Sequence, residues 1–213
     1  MNRRRMLTIA LIGLVAQFGV MGFMIMQREI ALRNGVECRF LTAPVDPYDA
    51  FRGRYVSLNL TENNRMLCDR EYARGQRIYV IIGNGTNGYS RIERLAPRPG
   101  PDDIYIRTRV AYCWPEYREI PAITNNTALA RRSHGRRHVL TGKYQVHAKL
   151  PLDRYYMEEK LAPEAERAYQ NASRRDSQPG VLVVRVWRGM AVIEDLELGG
   201  RPIRDVARER LER

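Results

Sequence analysis

The sequence predicts a mainly β (α+β) protein, in which an N-terminal transmembrane helix precedes one antiparallel β-rich domain with a helical insertion. Three observations support this fold class: an uncharged run over residues 6–26 behind three arginines at positions 3–5, several segments with period two, and one later segment with helical period. We therefore expect a signal anchor over residues 1–30 and an extracytoplasmic domain over residues 36–213.

The uncharged run from Met6 to Met26 has the length of a membrane span. Its 21 residues would extend about 31 Å as a helix, close to the roughly 30 Å hydrocarbon core of a bilayer. A cleavable signal peptide has a shorter apolar region, of about 7–15 residues, and a small-x-small cleavage site. The run ends instead at Met26-Gln27-Arg28, so a retained anchor is favoured.

The charges flanking this run predict the orientation of the chain. Arg3, Arg4 and Arg5 lie at the short N-terminal end, and such clusters remain in the cytoplasm. A long domain after the anchor is translocated largely regardless of its charge. We therefore expect a single-pass protein of the inner (plasma) membrane, with its C-terminal domain in the periplasm or outside the cell.

The chain is strongly basic, with a net charge of +12 that comes almost entirely from arginine. Nucleic acid is excluded as a routine partner by the predicted location, whereas anionic lipid or an acidic protein would suit a tethered basic domain. A solvated arginine-rich surface is the alternative. Candidate contacts for lipid or another anion are Arg131, Arg132, Arg136 and Arg137.

Cysteine and histidine spacing predicts no metal site and no cofactor. Cys38, Cys68 and Cys113 leave two alternatives open, a Cys38–Cys68 disulfide or three unpaired thiols, and the chain has no C-x-x-C motif. His134 and His138 have the i, i+4 spacing of two ligands on one helix face. The arginines between them would repel a divalent cation, so solvated loop residues are favoured.

Alternating or short apolar segments predict most of the β domain. Strands are expected over residues 36–41, 55–60, 77–82, 91–95, 104–110, 139–150, 181–187 and 190–196. Turn signals at Gly83-Asn84-Gly85 and at Arg188-Gly189 predict two hairpins. Residues 114–138 lack periodicity and predict an exposed loop.

Helical segments are expected at three places in the chain. Residues 27–35 continue the anchor helix to a stop signal at Asn34-Gly35. Residues 153–173 change to helical period, and Pro163 suits the first turn of that helix. The tail from Ile203 predicts a short charged helix.

The most distinctive segment spans residues 44–58, Pro-Val-Asp-Pro-Tyr-Asp-Ala-Phe-Arg-Gly-Arg-Tyr-Val-Ser-Leu. Aspartates beside prolines suit tight turns because their carboxylates accept hydrogen bonds from nearby backbone N–H groups. A glycine before the strand permits a positive φ. The candidate binding residues are Asp46, Asp49, Arg52, Gly53 and Tyr55. The alternative is a purely structural turn that leads into a core strand.

This segment resembles the GDYXXLXY family of membrane-anchored bacterial proteins, named for a Gly-Asp-Tyr-x-x-Leu-x-Tyr signature. Gly53, Tyr55 and Leu58 match the signature. Arg54 stands in place of its Asp, and Leu60 in place of its last Tyr. Residues 154–159 and 189–200 are similar to two further family segments, so the resemblance covers the anchor and most of the domain.

The resemblance implies a partner and carries no activity with it. Proteins of this family tend to be encoded beside multi-pass membrane proteins, which implies a multi-pass membrane protein as partner. If the signature Asp were catalytic in relatives, Arg54 would make this chain inactive. If that Asp is structural, Arg54 is tolerated at a surface turn.

Hydrolase chemistry is weakly supported by the residues. The chain has no G-x-S-x-G elbow for a serine nucleophile. A signal-peptidase-like domain would need a serine shortly before Arg52-Gly53-Arg54, where Thr42 and Asp46 stand. We therefore expect a non-enzymatic interaction or accessory module for another membrane protein. The alternatives are a degenerate signal-peptidase-like or other hydrolase-like domain, or a module that binds an anionic lipid surface.

Overall fold

The computed structural model describes residues 3–43, 55–57, 59–60, 65–85, 87–121, 136–174 and 180–212. Within these ranges the helices are α1 (Arg3–Asn34), α2 (Ala162–Arg174) and α3 (Ile203–Leu211). The strands are β1 (Val36–Ala43), β2 (Tyr55–Ser57), β3 (Asn59–Leu60), β4 (Arg65–Cys68), β5 (Arg77–Asn84), β6 (Ser90–Ala96), β7 (Ile104–Pro121), β8 (Arg136–Ala148), β9 (Arg154–Tyr156), β10 (Gly180–Trp187), β11 (Met190–Leu198) and β12 (Arg201–Pro202). The predicted β-rich fold, with an N-terminal apolar helix, is confirmed.

Helix α1 is long and apolar enough to cross a membrane, and its span of that character is Leu11–Asn34. Its side chains there are almost all exposed until the last turns, where Ala31 is fully buried and the helix packs on β10 and β11. The helix ends at Asn34, as the sequence predicts; the Gly35 N–H makes the last helical bond, to the Ala31 carbonyl oxygen at 2.9 Å, and β1 follows at Val36. Helix α1 and the β domain are therefore joined without a linker.

The first sheet has the order β12-β11-β10-β1-β3, and its strand pairs are antiparallel. The central strand β10 is rich in valine, which favours a pleated and buried surface. The predicted hairpin of β10 and β11 is confirmed, with its turn at Arg188-Gly189 and positive φ at both residues, as a two-residue hairpin requires. A β-bulge in β11 leaves Glu194 without an opposite residue.

Helices α2 and α3 pack against each other and against this sheet. Ala165 on α2 and Ala207 on α3 are fully buried, which explains the small residues at helical spacing. The ring of Tyr169 on α2 lies so close to β10 that a Cβ at Gly180 would be 2.6 Å from it. Glycine at the start of β10 therefore permits this close approach.

The second sheet has the order β4-β8-β7-β5-β6 and confirms the predicted hairpin of β5 and β6. Its edge strands β4 and β6 approach each other, and β6 also meets β1 of the first sheet. There the Arg39 N–H donates to Ser90 Oγ at 3.1 Å. At another junction the Arg107 N–H donates to the Gly189 carbonyl oxygen at 2.8 Å. Side chains from both sheets and from α2 and α3 form one core.

Three sequence-based predictions of local structure are wrong. Much of the expected loop at 114–138 is strand, because β7 continues to Pro121 and β8 begins at Arg136. The expected helix over 153–173 begins only at Ala162, and β9 precedes it. The single strand expected over 55–60 is divided, since β2 pairs with β9 whereas β3 pairs with β1.

All three cysteines are free, which is the second of the two alternatives left open by their spacing. Cys38 is buried on β1, and burial raises the pKa of its thiol. Cys68 on β4 and Cys113 on β7 flank the strand β8, where they lie opposite Tyr144 and Val146. Burial, and to a lesser extent the neighbouring Cys113, raises the pKa of the Cys68 thiol.

Candidate functional site

The signature segment is described only in part, and its described strand lies beside β9. Tyr55 is opposite Tyr156 in the β2–β9 pair. The predicted binding residues Asp46, Asp49, Arg52 and Gly53 lie outside the described residues. Their binding role stays a prediction, but the backbone register shows that the strand of the signature adjoins β9.

Two of the four predicted anion contacts lie among the described residues, at the start of β8. Arg136 and Arg137 begin β8, where they are opposite Pro121 and Ile120. The remaining candidates, Arg131 and Arg132, lie outside the described residues, as does His134. This part of the prediction therefore stays open.

A pocket of about 380 Å³ lies between the end of α1, strand β9 and strand β11. Its polar lining comes from Arg28, Arg154, Arg204 and Glu194. Its aromatic and apolar lining includes Tyr156, Met190, Val192 and Ile193. Because β9 also pairs with β2, the signature strand is one strand away from this pocket. We call it the anchor pocket.

One buried tyrosine fixes a wall of the anchor pocket. The Tyr155 hydroxyl donates to Asp195 Oδ1 at 2.7 Å, and the Leu196 N–H donates to the same oxygen at 2.8 Å. Arg204 Nη2 lies 3.6 Å from Asp195 Oδ2. Burial, followed by the hydrogen bond to Asp195, raises the pKa of the Tyr155 hydroxyl well above its usual value. Tyr155 is therefore a neutral donor that ties β9 to β11.

The charge that faces the anchor pocket is predominantly positive. Three arginines line it, and Glu194 is the carboxylate in its lining. That carboxylate already accepts a hydrogen bond from Arg185 Nε at 2.6 Å. A cluster of guanidinium groups over a wall with apolar side chains can hold an anion that carries an apolar portion.

A second surface stands out because apolar side chains are exposed on it. Among the described residues outside α1, nine large apolar side chains are exposed, and six of these lie on β4, β7 and β8. They are Leu67, Tyr112, Trp114, Tyr117, Val139 and Leu140. We call these six residues the hairpin surface. Large exposed apolar side chains concentrated on three neighbouring strands can mark a surface that binds another molecule.

The hairpin surface is locally ordered by contacts between its rings. Tyr112 and Trp114 are two residues apart on β7, and their rings stack with centroids 5.3 Å apart and planes within 2°. The Arg74 guanidinium lies 5.4 Å from the centroid of the Tyr112 ring. Trp114 nevertheless remains 52% exposed. The rings are held in position without being covered.

The other end of the hairpin surface borders a shallow cleft of about 410 Å³. Leu67, Val139 and Leu140 supply its apolar lining. Charged residues of both signs surround these side chains, namely Glu116, Arg118 and Lys143. Thr141 Oγ1 donates to Glu116 Oε2 at 2.8 Å, which fixes that carboxylate.

Sequence patterns missed both of these sites for identifiable reasons. The arginines of the anchor pocket are at positions 28, 154 and 204, so no local pattern connects them. The rings of Tyr112 and Trp114 have the i, i+2 spacing of one strand face, which is a usable signal. Two register shifts in the β7–β8 pair, at Val110/Tyr112 and Pro115/Tyr117, interrupt the alternation around them.

Comparison with known proteins gives a single kind of match. No curated protein and no solved structure matches the chain. The family described as "GDYXXLXY protein" matches residues 17–196, which include most of α1 and nearly all of the β domain. The chain therefore belongs to the GDYXXLXY family.

Proposed function

We propose that this chain is a membrane-anchored, extracytoplasmic and non-enzymatic interaction module, which binds a multi-pass membrane protein through the hairpin surface. The observation that carries the proposal is the exposure of Trp114 and its apolar neighbours on β4, β7 and β8. An exposed cluster of this kind loses its contact with water when a partner covers it, and that burial favours binding.

The location in this proposal follows from α1 and its flanking charge. The helix is long and apolar enough to span the bilayer, and three arginines precede its apolar run. These charges favour a cytoplasmic N-terminus and a translocated domain. The last turns of α1 pack on β10 and β11, so the domain would be held close to the bilayer, where membrane proteins are the accessible partners.

The composition of the hairpin surface favours a protein partner. Stacked aromatic rings at the centre of a contact are typical binding hot spots between proteins. Charged groups of both signs, including Glu116 and Arg118, border the apolar side chains. This arrangement resembles the apolar centre and polar rim of a protein interface. A surface that binds only anionic lipid would need predominantly positive charge, without acidic groups such as Glu116 beside it.

The proposal can be tested by crosslinking the full chain in its native membrane and recovering it through an affinity tag. A Trp114→Ser, Leu140→Ser double variant removes two exposed side chains of the hairpin surface. We expect recovery of one dominant multi-pass membrane protein with the wild-type chain, reduced at least about tenfold in the double variant, because central aromatic contacts dominate binding energy.

A matched control is Leu211→Ser, which removes an equally exposed apolar side chain from the end of α3. This variant should recover the partner as well as wild type does. Thermal unfolding in detergent should give similar melting temperatures for all three proteins, since the replaced side chains are exposed. Equal recovery by the double variant and the wild type would contradict binding through the hairpin surface.

A further inference from the structure

The anchor pocket lies at the end of the apolar segment of α1. The uncharged run ends at Met26, and Arg28 is two residues further on, about 3 Å along the helix axis. Helix α1 is continuous from the apolar run through Arg28 to Asn34. If the run fills the hydrocarbon core, Arg28 and the pocket that it lines are at the depth of the lipid headgroups.

The positive charge in the pocket comes from three separate elements. Arg28 is on α1, Arg154 is on β9 and Arg204 is on α3. Arg154 and Arg204 also face acidic neighbours, at 3.6 Å from Asp153 and Asp195 respectively. A guanidinium group has five N–H donors, so Arg154 and Arg204 can keep their present contacts and still donate to another anion. The fold thus gathers charge that is distant in sequence.

The remaining lining suits the part of a lipid that adjoins its phosphate. Met190, Val192 and Ile193 supply apolar surface within the same pocket. The Tyr156 side chain is 67% exposed, and tyrosine is enriched where proteins meet the interface of a bilayer. A volume of about 380 Å³ can hold a phosphate ester and its glycerol group, while acyl chains remain in the bilayer.

We infer that the anchor pocket binds the phosphate headgroup of one anionic phospholipid from the bilayer that holds α1. Arg28, Arg154 and Arg204 contact the phosphate oxygens, and the apolar wall of β11 lies against the glycerol and the first acyl carbons. The α1 helix must be in the bilayer for this contact to form. The site therefore depends on the proposed membrane anchoring and not on the proposed protein partner.

The experiment uses the full chain, purified in a neutral detergent, and native mass spectrometry to count bound lipids. Phosphatidylglycerol and phosphatidylcholine with identical acyl chains are added in parallel titrations. We expect one phosphatidylglycerol to bind tightly and phosphatidylcholine to bind at least about tenfold more weakly. An Arg28→Gln, Arg154→Gln double variant should bind phosphatidylglycerol about thirtyfold more weakly than wild type, at the cost expected for two interfacial arginines.

The matched control is Arg33→Gln, which removes one charge from the same helix outside the pocket lining. Its affinity for phosphatidylglycerol should stay within about twofold of wild type, since its side chain is exposed and pairs with Glu29. Binding that follows net charge alone would weaken about fivefold or more in this control, half the free-energy loss of the double variant, and that result would overturn the site. Equal binding of both lipids by wild type would overturn it as well.

A further titration with a soluble compound distinguishes a lipid ligand from a free phosphate ester. Glycerol 3-phosphate, added at the same concentrations, should bind at least about tenfold more weakly than phosphatidylglycerol, because it has no acyl chains to bury. Equally tight binding of glycerol 3-phosphate would assign the pocket to a soluble anion and would overturn the proposed lipid site. Alkaline extraction of native membranes keeps the two proposals distinguishable. If the chain resists extraction but does not prefer phosphatidylglycerol, only the proposed lipid site is overturned. If the chain is extracted, the proposed membrane anchoring is overturned.

Discussion

Tyr155 links β9 to β11 through one hydrogen bond, and this bond should make the stability of the fold sensitive to alkaline pH. Burial and the bond to Asp195 raise the pKa of its hydroxyl in the folded state. A raised folded pKa contributes stability that is complete below the pKa of an exposed tyrosine, about 10, and is lost as pH rises above it. We therefore expect the free energy of unfolding of wild type to fall steeply there.

A Tyr155→Phe variant isolates this contribution from those of other tyrosines. At neutral pH the variant should lose about 1 kcal/mol of unfolding free energy, because Asp195 retains its bond from the Leu196 N–H and loses only one donor. Urea unfolding across the alkaline range should then show a shallower decline for the variant than for wild type. Parallel declines would mean that Tyr155 ionises equally in the folded and unfolded states.

Single residues also show where sequence patterns were sufficient. The Arg188-Gly189 turn depends on the positive φ of those two residues, so a local pattern could predict it. The Asn34-Gly35 stop was also predicted, and there a Cβ at Gly35 would clash with the Ala31 carbonyl oxygen. Tyr155 lies in a segment whose spacing predicted helix. Its pairing with Val56 and its hydroxyl bond to Asp195 both depend on distant residues. A local period cannot report such contacts.

At the scale of elements, strands with regular alternation or apolar runs were predictable and interrupted ones were not. β1, β5, β6, β10 and β11 were expected from their patterns and are confirmed. The distal part of β7 was missed because its pairing with β8 shifts register at Val110/Tyr112 and at Pro115/Tyr117. A proline beside a register shift weakens the backbone hydrogen bonding between the strands little, because its missing N–H is not required there. β4 and β12 are too short to show any period.

The junction of α1 with the domain is an element-scale feature that mutation can test. Ala31 is fully buried where α1 meets β10 and β11. Ala31→Gln would place a larger, polar side chain in this contact and should lower the free energy of unfolding by about 1–3 kcal/mol. Thermal unfolding of the full chain in detergent would measure the change.

The control for that junction is Arg33→Gln, on the same helix, where the side chain is largely exposed. Its unfolding free energy should stay within about 0.5 kcal/mol of wild type. If Ala31→Gln were equally harmless, the end of α1 would not be packed against the sheet in solution. The domain would then be tethered loosely, and the anchor pocket would lack its α1 wall.

For the whole molecule, the arrangement of charge matters more than its total. The net charge of +12 indicates acidic partners only in general terms. Folding brings Arg28, Arg154 and Arg204 together beside α1, and it leaves the hairpin surface with charges of both signs. Composition therefore predicted a class of partner, while the positions of both candidate sites required the three-dimensional fold.

The orientation of the chain is the remaining whole-molecule prediction, because both candidate sites must face the same side of the membrane as the domain. A reporter enzyme that matures only outside the cytoplasm, fused after Arg213, should be active with the wild-type chain. Replacing Arg3, Arg4 and Arg5 by serine removes the charges from which a cytoplasmic N-terminus is predicted, and it should lower reporter activity per fusion protein.

The matched control replaces three arginines of the domain, Arg91, Arg208 and Arg210, by serine. It changes the net charge by the same amount, and it should leave reporter activity unchanged, because charges within a long translocated domain have little influence on orientation. An inactive reporter on the wild-type chain, together with an active cytoplasmic reporter at the same position, would place the domain in the cytoplasm. The anchor pocket would then face the cytoplasmic leaflet, whose anionic lipids could still fill it, whereas the proposed extracytoplasmic contact through the hairpin surface would be excluded.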